Sequence, residues 1–250
     1  MVVEYFLSVV VPIYNEEERI GPSLIRIVDY FAEKDYNYEL ILVMDGCEDN
    51  SAEICKGLLK KMKGRLGNCS VNFLESMENH GKGYSVRKGC LFSKGKYVLF
   101  MDADLSTPVE EVEKLIAYLQ DGFNIVIGSR AIRGADIVVK QSILRRSMGK
   151  IFNFLVRMIT GMDYYDTQCG FKCFDRTAVD IVFNPSKLDG FGFDVEILYL
   201  AKQLNLKVKE VPVRWINSPK SKVRIIADSA EMLLSILKIK QLHSQDNLGG

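Results

Sequence analysis

The chain has 250 residues, of which 33 are Lys or Arg and 32 are Asp or Glu, so its formal net charge is +1. This length suffices for a large buried core, and the near-neutral balance gives no general attraction to nucleic acid or to an acidic surface. The longest apolar runs fall short of the roughly 20 helical residues that cross a bilayer. Residues 1–11 lack the basic start and small-residue cleavage site of a signal peptide. We therefore expect a cytosolic protein that does not span a membrane by itself.

The cysteine pattern argues against a zinc site. Six cysteines occur without any Cys-x-x-Cys pair, and the sequence contains two histidines. Cys169 and Cys173 are widely spaced and have no second pair nearby, so they do not match the usual zinc ligand spacing. Scattered thiols of this kind are typical of an intracellular protein.

The first 130 residues alternate between strand-like and helix-like segments. Residues 7–13 are an almost unbroken apolar run, as in a parallel strand covered on both faces, and residues 16–30 have helical apolar spacing. After them, in chain order, come strand 38–44, helix 50–61, strand 71–74, helix 83–93, strand 97–101, helix 110–119 and strand 124–127. Thr107 is the predicted N-cap of helix 110–119, with Pro108 at its first position. The alternation predicts an α/β fold with a parallel sheet and right-handed crossovers.

The pattern changes beyond Arg130. The predicted elements there are helix 142–159, a short apolar segment 171–174, helix 193–204, an edge strand 208–216 that contains Pro212, and helix 225–241. Neither a linker nor a repeat separates them from the first part of the chain. The last helix is open to two interpretations, since its apolar residues suit either core packing or a membrane surface.

Polar residues follow four of the predicted strands at the point where each strand ends. They are Tyr14, Asn15 and Glu16 after the first strand, Asp45 and Gly46 after the second, Asp102 and Asp104 after the fourth, and Gly128, Ser129 and Arg130 after the fifth. Ligands of open parallel sheets bind at the carboxyl ends of the strands. We therefore expect these side chains to form one site, where a nucleotide would lie.

Asp102 and Asp104 are the most informative pair in this set. On a strand, residues i and i+2 point to the same side, so both carboxylates face one spot. Two anions held together repel each other unless a cation neutralises them. A divalent ion such as Mg²⁺ or Mn²⁺ takes oxygen ligands and shares its shell with substrate phosphates. The pair thus predicts a metal between the protein and a diphosphate, with a solvated turn or an acid/base pair as the alternatives.

Several motifs carry a family resemblance through their order along the chain. They are Val11-Pro12-Ile13-Tyr14-Asn15-Glu16, Asp45-Gly46-Cys47-Glu48-Asp49-Asn50-Ser51, His80-Gly81-Lys82-Gly83, Asp102-Ala103-Asp104 and Gly128-Ser129-Arg130. Together they resemble the family 2 inverting glycosyltransferases, which have the GT-A fold. The later motifs 166–172 and 193–196 resemble the polyprenyl-phosphate sugar transferases, first the dolichyl-phosphate β-glucosyltransferases and next the dolichyl-phosphate mannose synthases. The resemblance covers about residues 7–222.

The resemblance implies an architecture. The chain would be a GT-A, Rossmann-like three-layer sandwich of class α/β, with a mostly parallel central sheet. Residues 1–250 would form a single glycosyltransferase domain. Residues 1–130 would be its nucleotide-sugar-binding half, and residues 131–250 an acceptor-binding half with an amphipathic helix facing a membrane.

The resemblance also implies roles for individual residues. Asp102 and Asp104 would hold Mg²⁺ or Mn²⁺ on the donor diphosphate and, together with Arg130, would carry the catalysis. Two positions depart from the family pattern, since Met44 replaces a usual acidic residue and Ser106 replaces a glutamine found in the mannose synthases. The residues that would bind the nucleotide sugar are Pro12, Tyr14, Glu16, Asp45, Lys82 and Asp102.

Helix 142–159 supplies cations for an anionic acceptor. Arg146, Lys150 and Arg157 fall on one stripe among apolar residues, which fits an interfacial helix that grips a lipid phosphate. An ordinary solvated face is the alternative. Arg145, Arg146 and Lys150 would bind the acceptor phosphate, and Gln168, Glu196 and Lys222 would lie on the sugar or acceptor side.

Five residues within these motifs also have a simpler explanation. Asp49 and Asn50 suit a helix cap, and His80 suits either a solvated loop or a donor contact. Asp166 suits a local ion pair, and Glu196 a helix surface.

These features lead to an expected activity. The enzyme would transfer a hexose, glucose from UDP-glucose, to dolichyl or polyprenyl phosphate with inversion, peripherally on the cytoplasmic side of a membrane. The alternatives are a GDP-mannose-dependent transferase, a family member acting on a saccharide or small molecule, and a non-catalytic binding module for nucleotide sugar or lipid phosphate.

Overall fold

The computed structural model describes residues 4–67, 69–138, 143–216 and 225–243. Within these ranges the strands are β1 (Tyr5–Ile13), β2 (Tyr38–Asp45), β3 (Cys69–Ser76), β4 (Gly95–Met101), β5 (Ile125–Ser129), β6 (Asp136–Ile137), β7 (Phe171–Asp175), β8 (Val208–Pro212) and β9 (Arg214–Trp215). The α-helices are α1 (Ile20–Ala32), α2 (Ser51–Lys61), α3 (Lys82–Phe92), α4 (Val112–Gln120), α5 (Ile143–Thr160), α6 (Arg176–Phe183), α7 (Phe193–Gln203) and α8 (Ile225–Leu242).

A mostly parallel sheet forms the centre of the described structure. Its strand order is β3-β2-β1-β4-β7-β5-β8. β1 pairs in parallel with β2 and β4, β2 pairs in parallel with β3, and β5 pairs in parallel with β8. β7 runs antiparallel between β4 and β5. The prediction of a mostly parallel sheet is therefore confirmed, and β7 inserts one strand from the later part of the chain between two earlier ones.

Helices cover both faces of this sheet. Successive residues of a strand point to opposite faces, and in β1 Val9 packs into one apolar cluster whereas Val10 packs into the other. The first cluster holds side chains of α1, α2 and α4, such as Leu24 and Leu115. The second holds side chains of α3, α6, α7 and α8, such as Ile236. The predicted three-layer α/β sandwich with the GT-A architecture is confirmed.

The starts of α1 and α4 lie later in the chain than the sequence predicts. α1 begins at Ile20 rather than at residue 16, because residues 14–19 form the loop that follows β1. The predicted N-cap at Thr107 is wrong. Pro108 has an extended ψ of 142°, a 3₁₀ turn (Val109–Glu111) follows it, and α4 begins after that turn. Thr107 Oγ1 instead lies 3.8 Å from Cys169 Sγ.

The predicted edge strand 208–216 is two short strands. β8 follows β5 only as far as Pro212, which pairs with the last residue of β5. β9 then pairs in parallel with β6, where Asp136 N donates to Val213 O at 3.2 Å. α6 was not predicted, although Asp175 is a regular N-cap whose carboxylate accepts from Ala178 N at 2.6 Å.

α5 and α8 pack against each other beside the second core. Val156, Ile236 and Ile239 are buried there, so core packing is confirmed for α8. Both helices also expose large apolar side chains, namely Ile151, Phe154, Met158, Leu234 and Leu237. Across the described ranges, none of the helices combines the length and the apolar character that crossing a bilayer requires.

Candidate active site

The paired aspartates follow the last residue of β4, as predicted. Asp102 N donates to Gly170 O at 3.0 Å, which ties this turn to the residue that precedes β7. The Asp102 carboxylate lies directly against Gly170, because a Cβ on that glycine would sit 1.9 Å from Asp102 Oδ2. Gly170 thus leaves the space that the carboxylate occupies, and any larger residue would displace it.

Each aspartate faces a basic side chain from another element. Lys82 Nζ lies 2.7 Å from Asp102 Oδ1, and Arg19 NH1 donates to Asp104 Oδ2 at 3.4 Å. Asp104 Oδ1 also accepts from Ser106 N at 2.9 Å. A solvated turn does not describe this arrangement, since both carboxylates are ion-paired and the Asp104 side chain is largely buried.

The aspartate pair suits a metal ion that is shared with a ligand. Within the described residues, no group of three or more His, Cys, Asp or Glu side chains is placed to hold a metal ion. A closed protein cage is therefore not formed by those residues. Mg²⁺ is commonly held by one or two carboxylates while waters and substrate phosphates complete its shell. Asp102 and Asp104 fit that second kind of site.

Arg19 belongs to the site although sequence reasoning did not single it out. Its Nε donates to Glu16 Oε2 at 2.7 Å and its NH2 donates to Glu16 Oε1 at 2.6 Å, which is a bidentate pair. Through its contact with Asp104, Arg19 connects the loop after β1 to the turn after β4. In the sequence, Arg19 ends a run of four charged residues within the predicted helix 16–30. The signal that could have revealed it is the spacing of three residues from Glu16.

Lys82 is the first residue of α3 and points at the aspartates. Burial pulls the pKa of the Lys82 ammonium down, but Asp102 and Asp194 outweigh it and raise the pKa above its ordinary value. The ammonium also lies 5.4 Å from the centre of the Phe100 ring. Lys82 is therefore a firmly protonated cation beside the aspartate pair.

Asp45 holds the turn that leads to Lys82. Its buried carboxylate accepts from His80 N at 2.9 Å and from Gly81 N at 2.8 Å, and His80 Nδ1 lies 3.1 Å away. The contact of Asp45 with the nucleotide sugar stays a prediction, and that ligand would have to share a carboxylate already hydrogen-bonded to the backbone of His80 and Gly81. His80 is exposed in the loop before α3, and its ring stacks on Tyr84 with centroids 4.3 Å apart.

Arg130, after β5, forms a bidentate pair with Asp166. Arg130 Nε and NH2 donate to Asp166 Oδ2 and Oδ1 at 2.7 and 2.8 Å, and Arg130 N donates to Oδ2 at 2.9 Å. Burial raises the pKa of Asp166, but Arg130 outweighs it and holds the pKa below its usual range. Burial likewise lowers the pKa of Arg130, and Asp166 raises it well above normal. The local ion pair considered for Asp166 is confirmed.

A second buried ion pair lies behind the site. The Lys172 ammonium in β7 bonds to Asp194 in α7 and donates to Cys169 O at 2.7 Å, and all of these groups are buried. Burial raises the pKa of Asp194 more than Lys172 and Lys82 lower it. Sequence reasoning recognised both segments as motifs but not their pairing, since the two residues lie 22 positions apart along the chain.

The loop after β1 contains the remaining predicted donor residues. Pro12 lies within β1, and Tyr14 is partly exposed after its end. Asn15 has a positive φ of 54°, and its Oδ1 accepts from Glu48 N at 2.8 Å. Asp49 Oδ1 accepts from Ser51 N at 3.0 Å at the start of α2, which confirms its capping role. The side chain of Asn50 makes no such bond.

The structure describes the side chains of two of the residues predicted for the acceptor side, Gln168 and Glu196. Gln168 Nε2 contacts Met232 Sδ of α8 at 2.5 Å. Glu196 is fully buried in α7, so its assignment to a helix surface is wrong. Arg145, Arg146 and Lys150 lie in α5, but their side chains are outside the described part of the structure, as is the whole of Lys222. Arg157, from the predicted stripe, pairs with Asp163 at 2.6 Å.

The three-layer sandwich, with acidic and basic side chains at the carboxyl edge of its sheet where ligands of such sheets bind, matches the class of GT-A glycosyltransferases that the sequence motifs resemble. The amino-acid sequence supports the same class, because the family model described as "Glycosyl transferase family 2" matches residues 8–183. This chain belongs to glycosyl transferase family 2.

Curated relatives and solved structures resemble the chain over most of its length. A protein of Drosophila melanogaster named dolichyl-phosphate beta-glucosyltransferase is 38% identical over 87% of this chain and 69% of its own. A protein of the same name from Dictyostelium discoideum is 34% identical over 94% of this chain and 74% of its own. The crystal structure of Mycobacterium tuberculosis glucosyl-3-phosphoglycerate synthase with Mn²⁺, UDP and glucosyl-3-phosphoglycerate has a TM-score of 0.69 at 18% identity, covering 94% of this chain and 80% of that one.

Proposed function

We propose that this enzyme transfers glucose from UDP-glucose to dolichyl phosphate or a related polyprenyl phosphate, and gives a β-linked product. The observation that carries the proposal is the aspartate pair after β4, faced by Lys82 and Arg19 and close to the strand end that bears Arg130. The names of the relatives at 34–38% identity support the choice of glucose and dolichyl phosphate. Those relatives match 87–94% of this chain, so the proposal applies to the chain as a whole.

The donor site would use the carboxyl edge of the sheet. Lys82 and Arg130 are cations at strand and helix ends, which suits them to the diphosphate of a nucleotide sugar. Pro12, Tyr14 and Glu16 would line the nucleotide, and Asp45 would keep the turn 80–81 in place beside it. This assigns residues 1–130 to donor binding.

Asp102 and Asp104 would hold a divalent ion, Mg²⁺ or Mn²⁺, against the donor diphosphate. When bound, such an ion neutralises the negative charge that builds on the departing phosphate. The solved structure with Mn²⁺ and UDP, which shares this fold at 18% identity, supports the choice of a divalent cation. Arg130, held in place by Asp166, would add a fixed positive charge for the same purpose.

The acceptor chemistry would need little help from a general base. A lipid monophosphate is already an anion at neutral pH, so one of its oxygens can attack the anomeric carbon directly. Asp166 would not serve as the base, since Arg130 holds its pKa below the usual range. A single displacement inverts the anomeric centre and converts an α-linked donor into a β-linked product.

The acceptor would approach from the α5 and α8 side. Arg145, Arg146 and Lys150 of α5 would bind its phosphate, and Gln168, Glu196 and Lys222 would belong to the same half, residues 131–250. The exposed apolar side chains of α5 and α8, such as Phe154, Met158 and Leu237, support contact with a membrane surface. We place the enzyme peripherally on the cytoplasmic face of that membrane.

Radiolabelled transfer tests the proposal. The purified enzyme is incubated with Mn²⁺, dolichyl phosphate and either UDP-[¹⁴C]glucose or GDP-[¹⁴C]mannose, and the lipid-linked label is extracted. We expect label from UDP-glucose and background from GDP-mannose. Label from GDP-mannose alone would establish the mannosyltransferase, and no lipid-linked label from any common nucleotide sugar would favour a non-catalytic binding module.

A further inference from the structure

The loop at residues 186–190 closes the beginning of α3. The first amides of a helix have no partner inside it, and here Gly83 N and Tyr84 N both donate to Asp189 O, at 2.6 and 3.2 Å. The fit leaves no room for side chains, because a Cβ at Gly81 would lie 2.5 Å from Asp189 O and one at Gly83 would lie 2.4 Å from Leu188 O. The position of this loop therefore fixes the backbone on both sides of Lys82.

Glu196 holds that loop from inside the protein. Its carboxylate accepts from Lys187 N at 2.8 Å and from Leu188 N at 2.9 Å, and His243 Nε2 lies 2.7 Å from Oε1. Glu196 is fully buried and His243 nearly so, and hence neither residue is exposed to a substrate. A buried carboxylate that collects two consecutive backbone amides acts as a rigid anchor, because any loop movement would leave those amides or the charge unpaired.

We propose that Glu196 is a positioning residue that sets the place of Lys82 through the loop 187–189. The contacts run in one direct series from the Glu196 carboxylate to Lys187 and Leu188, and from Asp189 O to the amides of Gly83 and Tyr84. Lys82 lies between Gly81 and Gly83, the two glycines that pack against this loop, and its ammonium contacts Asp102 Oδ1. The role of Lys82 toward the donor rests on the proposed function, whereas the mechanical link does not. This replaces direct sugar or acceptor contact as the role of Glu196.

Amide hydrogen exchange tests the link without reference to activity. Glu196→Gln keeps the volume but can accept from only one of the two loop amides. We expect Gly83 and Tyr84 to exchange about tenfold faster in this variant. The matched control is Glu39→Gln at the opposite edge of the sheet, where the buried carboxylate accepts from Ser8 Oγ and Lys94 N, both at 2.6 Å. Unchanged exchange at residues 83–84 in Glu196→Gln, or equal acceleration in both variants, would overturn the proposal.

A surface variant provides the same test if Glu196→Gln folds poorly. Arg87, on α3, pairs with Asp189 Oδ1 at 2.5 Å from the outer side of the loop. Arg87→Ala leaves Glu196 in place, and we expect it to accelerate exchange at Gly83 and Tyr84 as well. If those two amides do not respond to the loss of either loop contact, the loop does not fix the start of α3.

A double-mutant cycle then tests whether the effect on catalysis passes through Lys82. We expect Glu196→Gln to reduce kcat/KM for UDP-glucose about tenfold, with less than a twofold further loss in a Lys82→Met background. A full tenfold loss in both backgrounds would contradict the proposal. If Lys82→Met by itself left kcat/KM unchanged, the donor role of Lys82 in the proposed function would fail instead, and the exchange result would decide the positioning role.

Discussion

Lys82 Nζ lies 2.7 Å from Asp102 Oδ1, so the first residue of α3 neutralises the first aspartate after β4. Arg19 neutralises the second aspartate, Asp104, across a longer distance of 3.4 Å. A divalent ion would compete with both of these cations for the carboxylates. In the proposed reaction, Lys82 and Arg19 would then be available to phosphate oxygens of the donor, which links ion binding to donor binding.

Asp104→Asn should abolish transfer while the fold stays near intact. The amide keeps the shape of the side chain but removes one of the two charges that would hold the ion. We expect kcat to fall by at least about 10²–10³, the effect of removing one group that stabilises charge in a transition state. Transfer of labelled glucose and thermal melting measure the two effects. Asp163→Asn is the control, since Asp163 is an exposed carboxylate whose ion-pair partner is Arg157 and not a residue beside the aspartate pair. Unchanged transfer by Asp104→Asn in the presence of metal would rule out the metal role.

Arg19→Met should strengthen binding of Mn²⁺ in the absence of nucleotide. The guanidinium lies 3.4 Å from Asp104 Oδ2 and repels a second cation there. Since two unit charges ~4 Å apart interact by ~1 kcal/mol even at the dielectric constant of water, and Mn²⁺ carries two charges, removal of the guanidinium should raise the Mn²⁺ affinity by at least about tenfold. Titration followed by the electron paramagnetic resonance of free Mn²⁺ gives this affinity. Arg26→Met is a matched control because Arg26 pairs with the exposed Glu110. A lower or unchanged affinity in Arg19→Met would show that Arg19 does not compete at this site.

Asp166→Asn should remove a pH-dependent part of the stability. Because Arg130 depresses the pKa of folded Asp166 below the unfolded value of about 3.9, the pair stabilises the fold above pH ~4 and loses that contribution as pH falls through the folded pKa. The variant should be less stable by ~3 kcal/mol at pH 7, and the difference should shrink below pH ~4. Urea denaturation of both proteins from pH 3 to pH 7 measures this difference, and a constant gap would contradict it.

Arg146→Ala should raise the KM for the lipid phosphate far more than the KM for the nucleotide sugar. The reason is that α5 is proposed to bind the acceptor, whereas the donor would lie at the carboxyl edge of the sheet. Steady-state transfer with each substrate varied in turn separates the two constants. Arg157→Ala on the same helix is the control, since its guanidinium already pairs with Asp163. Equal effects on both constants would give Arg146 a different role.

The elements with a strong local pattern could be predicted from the sequence. β1 and β2 are buried along almost their whole length, and the apolar runs show this directly. The aspartates after β4 were predicted on the same basis, as polar residues where a buried strand ends. The antiparallel insertion of β7 could not be predicted, because nothing within Phe171–Asp175 specifies which strands will lie beside it.

The ion-pair partners of the site residues could not be predicted from local sequence patterns either. Arg19 and Asp104 are 85 residues apart, and Arg130 and Asp166 are 36 apart. Such ion pairs depend on where the sheet brings strand ends together, not on spacing along the chain. For the same reason Glu196 looked like a surface residue of a helix, although three partners from elsewhere in the chain enclose its carboxylate.

A crystal of the enzyme grown with Mn²⁺ and UDP-glucose, measured at the manganese absorption edge, tests the central claim most directly. The account predicts an anomalous peak within coordination distance of Asp102 and Asp104, with the donor diphosphate on its other side and Lys82 withdrawn from Asp102. A bound donor with no ion beside these two carboxylates would contradict it.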